Sequence, residues 1–134
     1  MAAIPPPQVP GLFMGPLRFS GQYDKTADYT IPANAFIGAL FTNAGAVGAV
    51  VITLPALAPN RVFGFRVIAD QTLTVASAAG DDMVTKNDAS ADSVAFSTAN
   101  EKIGGGVLIE SNSDGTKWLV TNISAGSNTI TVAT

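Results

Sequence analysis

The sequence predicts an all-β fold, an antiparallel β-sandwich or barrel of about eight or nine short strands carrying an extended Pro-rich N-terminal arm. Three observations predict it. Short runs of β-branched and aromatic residues with period-two alternation recur about every 8 to 12 residues from Ala27 onward. Gly, Asn, Asp and Pro separate those runs at positions that suit tight turns. Five of the eight prolines fall within residues 1–16, together with Gly11 and Gly15 and without one charged side chain.

Residues 1–22 read as the arm and residues 23–134 as a single β domain. Proline fixes φ and has no N–H to donate, so residues 1–16 suit neither a helix nor an interior strand, and Pro5-Pro6-Pro7 favours polyproline geometry. A solvated linker is polar. This one instead carries Ile4, Val9, Leu12, Phe13 and Met14, which are expected, with Arg18 as a polar anchor, to contact a neighbouring subunit or a larger assembly.

Residues 18–28 are polar, and Ala27 to Ile31 forms a first short strand stopped at Pro32. In the apolar stretch from Ala33 to Leu40, one helical turn around Ala35, Phe36 and Ala39 competes with a strand from Ala39 to Asn43, and the strand fits its neighbours better. The rest of the chain is organised around Phe41 to Val75. Gly45 and Gly48 suit a turn or bulge; Val50, Ile52 and Leu54 then alternate with Val51 and Thr53 until Pro55 ends the strand. Val62 to Ala69 is the next run, with Phe63, Phe65, Val67 and Ala69 on its core face. A polar break at Asp70-Gln71 precedes Leu73 and Val75, so Val62 to Ser77 is expected to form an antiparallel hairpin.

Residues 78–92 read as a loop or short edge strand, and Ser93 to Ser97 as another strand. Gly104-Gly105-Gly106 allows a sharp bend or close backbone approach before the strand Val107 to Glu110. Asp114-Gly115 between that strand and Lys117 to Thr121 is a strong hairpin signal. A last turn at residues 125–128 leads to a strand from Thr129 to Val132.

With 134 residues, the chain is one domain in length. Charged residues make up 13%, about half the usual ~25%, which leaves much neutral surface of the kind another subunit covers. The net charge of −3, without a basic run, argues against nucleic acid as a partner. No stretch approaches the ~18 apolar residues of a membrane-spanning helix, and the N-terminus lacks the pattern of a secretory leader, so synthesis in the cytoplasm is expected.

Enzymatic function is poorly supported. The sequence contains neither His nor Cys, the commonest general base and the most reactive nucleophile. Asp81-Asp82 is the one adjacent carboxylate pair, and with Asp88 and Asp92 it offers oxygen for Ca²⁺, but the spacing is not that of an EF-hand and a solvated acidic loop is the expectation. Trp118 could stack on a sugar, yet its place after the Asp-Gly turn, alternating with Val120, favours a core or interface residue. Tyr23 and Tyr29 look too isolated to build an aromatic platform, and the glycine triplet lacks the Lys and Ser/Thr of a phosphate loop. Neither a metal, a cofactor nor a small-molecule substrate is expected.

The segment NAGAVGAVVITLPALAPNRVFGFRVIADQTLTV, followed by GDD and then by a Gly-rich stretch before VLIESNSDGTKWLVTNISAG, resembles a β module of tailed-bacteriophage structural proteins. The resemblance covers about residues 27 to 125. Its marks are an Asn-x-Gly start, a strand closing in Leu54-Pro55, a strand holding Gly64-Phe65, the Leu73-Thr74-Val75 run and the late Asp114-Gly115-x-x-Trp118-x-Val120 strand. Such modules occur in small capsid decoration (cement) proteins and in tail fibres and tailspikes. A module attached only to a short arm looks like the decoration type. The resemblance implies a protein on the outer surface of the virion capsid, bound to the major capsid protein, commonly as a homotrimer. The alternative expectation is a tail fibre or tailspike module that binds a receptor or glycan through Trp118, Tyr23 or the acidic loop.

Overall fold

In the computed structural model, which describes residues 19–35 and 37–134, the alternating runs become strands of two mixed sheets. The first six strands alternate between the sheets. β1 (Gly21–Asp24), β3 (Ala39–Thr42) and β5 (Val62–Arg66) pair in parallel, with Gly21 beside Ala39 and Ala39 beside Phe63. In the facing sheet, β2 (Tyr29–Thr30), β4 (Val50–Thr53) and β6 (Leu73–Ala76) also pair in parallel, with Tyr29 beside Ile52 and Ile52 beside Val75. Residues 21–76 therefore wind through three turns of a flattened parallel coil.

β7 (Met83–Thr85), β8 (Asp88–Ala91), β9 (Ser93–Phe96), β10 (Gly106–Ser111), β11 (Trp118–Asn122) and β12 (Thr131–Ala133) complete the sheets. The larger has the order β1-β3-β5-β10-β11-β7-β8, the smaller β12-β9-β6-β4-β2. β10 pairs antiparallel with β5 and with β11, and β9 antiparallel with β6 and with β12.

The all-β prediction holds: the described residues contain twelve short strands and no helix, in a sandwich-like arrangement. Three expectations are corrected. The sheets are mixed, not antiparallel, because each crossover of the coil is itself a strand of the facing sheet. The expected Val62–Ser77 hairpin does not form: β5 belongs to the larger sheet and β6 to the smaller. Twelve strands replace eight or nine: Gly21–Asp24 is paired, and residues 78–92, read as a loop or short edge strand, hold two short strands, of which β8 is an edge strand. β1 begins at Gly21, two residues before the expected start of the β domain at residue 23.

The inner faces enclose one hydrophobic cluster. Phe63, Phe65 and Val67 point into it as the period-two pattern requires, facing Val50, Ile52, Leu73 and Val75 of the coil's other side. Each such side chain contributes about 1.5–3 kcal/mol on leaving water. Gly105 and Gly106 provide the close approach the triplet suggests: a Cβ on Gly105 would lie 2.5 Å from the Phe96 ring, and one on Gly106 would lie 3.0 Å from the Phe65 carbonyl oxygen.

Turns of the coil are tied by polar side chains. Asn43, fully buried, donates from Nδ2 to the carbonyls of Ala69 (3.1 Å) and Gln71 (3.2 Å) and accepts at Oδ1 from the amides of Ile68 (2.8 Å) and Ala69 (3.0 Å). One side chain thus satisfies four backbone groups of the next turn. Thr42 Oγ1 donates to Asp24 Oδ1 at 2.6 Å, and the Val51 amide donates to Asp28 Oδ1 at 2.9 Å. Asn128 performs a similar task in the second half, donating to the carbonyls of Glu101 (2.8 Å) and Ile103 (3.0 Å).

Candidate interaction site

β1 and β2 are edge strands of their respective sheets, and both belong to the first turn of the coil. Between them the layers part, leaving a cleft of about 200 Å³ lined by Tyr23, Tyr29, Pro32, Asn34, Ala39 and Phe41. The Phe41 ring is its floor, with its centroid 5.7 Å from that of Tyr23 and 5.9 Å from that of Tyr29. These are ordinary distances for favourable aromatic pairs. Tyr23 remains 39% exposed although it faces inward, because no further strand covers the edge. Its ring lies back along β1 over Gly21, where a Cβ would come 3.0 Å from the phenolic oxygen. Lys25 places its ammonium 3.6 Å from the Tyr29 ring centroid and so covers one face of that ring.

A second apolar patch lies on the outer side of the larger sheet. Leu40, Arg66, Ile68 and Ile103 border a shallow groove there, with Ile68 and Ile103 about half exposed. Phe19, where the described chain begins, lays its ring over Gly64 beside Leu40, and a Cβ on Gly64 would collide with it.

The arm residues Ile4, Val9, Leu12, Phe13, Met14 and Arg18 lie outside the described residues. Trp118 is fully buried, with its ring 6.3 Å from that of Phe63, so it belongs to the core and presents no stacking surface. The acidic loop is tied up internally. Asp92 Oδ1 accepts the Asp81 amide at 2.6 Å, and Lys117 Nζ donates to the carbonyls of Asp81 (2.6 Å) and Ala89 (2.9 Å). Among the described residues, no group of three His, Cys, Asp or Glu side chains is placed to hold a metal ion. Asp88 is held below the ordinary carboxylate range, first by the Thr134 hydroxyl (2.6 Å) and then by the Ser90 amide (2.8 Å); the Thr134 bond fastens the end of the chain to the edge strand β8.

Tyr23 and Tyr29 correct the sequence reading. Isolated along the chain, they converge on Phe41 because β1 lies beside β3 and β2 lies in the facing layer. The signal available was the similar order of strand, short connection and strand in residues 21–30 and 39–53. Among the described residues, no helix is long and apolar enough to cross a membrane. Comparison of the chain with protein-family models and with curated proteins returned no match.

Proposed function

We propose that this protein is a non-enzymatic virion structural protein, a capsid decoration protein that binds the outer surface of a phage head and bridges neighbouring subunits of the major capsid protein. The observation that carries this reading is the uncharged, apolar and Pro-rich stretch of residues 1–17, which precedes, by three residues, an edge strand of a β domain poor in charge. Neutral surface of this kind can be covered by another subunit with little desolvation of charge. The prolines reduce the entropy lost when the arm becomes ordered on a partner. In this proposal Ile4, Val9, Leu12, Phe13 and Met14 supply apolar contact, Arg18 anchors the arm, and the domain assembles as a homotrimer.

The motifs that carry the phage resemblance are scaffold residues: Asn43 ties two turns, Leu54 is buried where its strand ends, and Trp118 fills the core. They support kinship of fold, and the arm supports the decoration role. A receptor-binding tail module is the weaker proposal, because Trp118, its best sugar-stacking candidate, is enclosed. Deletion of residues 1–14 tests the reading. The shortened protein is expected to stay folded and to bind expanded heads more weakly; undiminished binding would remove the arm from the mechanism.

A further inference from the structure

The aromatic cleft and the proline run of the same chain have complementary chemistry. We propose that Pro5–Pro10 docks, within its own chain, in the cleft formed by Tyr23, Tyr29 and Phe41. A polyproline segment makes no internal hydrogen bonds, keeps its carbonyls available and presents ring faces to its surroundings. Proteins that recognise such segments do so with aromatic-lined grooves. Here the cleft has aromatic walls, and its tyrosine hydroxyls and the Asn34 amide are groups able to donate to those carbonyls.

The sequence Pro5-Pro6-Pro7-Gln8-Val9-Pro10 holds two prolines three apart, Pro7 and Pro10. With three residues per turn, polyproline geometry puts that pair on one edge, about 9 Å apart, and Val9 on another. Seating Pro7 and Pro10 therefore leaves Val9 available to a partner. The segment carries no charge, so docking strands none of its own. The nearest carboxylates are already engaged, Asp24 by Thr42 and Asp28 by the Val51 amide.

Chain length favours the same molecule as the source. Eight residues separate Pro10 from Phe19, enough to span up to about 27 Å when extended. Phe19 lies over Gly64, two strands in from the open edge at β1. Such a short tether gives the segment a millimolar effective concentration at the cleft, which a separate molecule at ordinary dilution does not reach. Docking would also cover the open first turn of the coil, an edge that β proteins otherwise protect. This inference does not depend on the capsid role, since it concerns the chain's own arm and cleft.

The test uses the full-length protein with the photo-crosslinking residue p-benzoylphenylalanine in place of Gln8, in an equal mixture of isotopically heavy and light chains. Crosslinks are expected within single chains and to peptides that include residues 21–41. Crosslinks mapped elsewhere, or joining heavy to light chains, would overturn the intramolecular site. A second reading uses the double variant Pro7→Ala, Pro10→Ala, which alters no residue of the sheets. Nitration of Tyr23 and Tyr29 by tetranitromethane should become several-fold faster than in the unaltered chain; unchanged rates would contradict the proposal.

Discussion

In residues 21–76 neighbouring strands of one sheet are separated in sequence by a strand of the other and pair in parallel, whereas residues 83–133 add strands mainly by antiparallel pairing. The two regions fix register differently. In the coil, no tight turn joins paired strands, so side chains reach from one turn to the next: Asp24 to Thr42, Asp28 to Val51, and Asn43 to the segment from Ile68 to Gln71. In the second region, the turn itself sets much of the register. Lys86 and Asn87, at φ 44° and 64°, reverse the chain between β7 and β8, and Asn112 Oδ1 accepts the amides of Thr116 (2.8 Å) and Lys117 (3.0 Å) between β10 and β11. The difference teaches that a parallel coil depends on buried polar clips where hairpins depend on turn conformation.

Substitutions can break or sharpen that contrast. The largest effect is expected where the regions meet: Trp118→Ala empties a fully buried site against Phe63 and should cost about 3–5 kcal/mol in urea unfolding. A loss comparable to a surface substitution would contradict the shared core. Asn43→Ala comes next, at about 3 kcal/mol, because it orphans backbone groups of the next coil turn. Asn128→Ala removes two side-chain bonds instead of four and should cost about 2 kcal/mol. Equal losses from the pair would mean that the coil relies on its clip no more than the second region does.

Gly105→Ala should destabilise by about 1.5 kcal/mol through its collision with Phe96, read as a lowered unfolding midpoint. The smallest effect is at the C-terminus. Because the Asp88 pKa is depressed in the folded state, its contribution is present above the unfolded carboxylate pKa and is lost as pH falls through the folded value. Thr134→Ala should raise the Asp88 pKa toward its ordinary value in an NMR titration, with little change in global stability.

Much of the strand inventory was legible because alternation reports which face of a strand meets the core. Val50 to Thr53 ahead of Pro55, the inward Phe63 and Phe65, and the hairpin around Asp114-Gly115 all follow from local chemistry. Alternation says nothing about the partner of a strand. Asp70-Gln71 has the composition of a hairpin turn, but the chain there crosses to the other sheet while Asn43, far back in sequence, holds it. The same non-local pairing gathers Tyr23, Tyr29 and Phe41, so the cleft was hidden from any reading of neighbours along the chain. Residues 1–16 differ from the rest of the chain by composition alone, and the arm expected from them lies outside the described residues.

The proposed role as a capsid cement is tested most directly by counting this protein against the major shell protein in purified virions, using quantitative mass spectrometry. The account predicts a copy number near parity with the shell. A number small enough for a tail component, or absence from the particle, would contradict it.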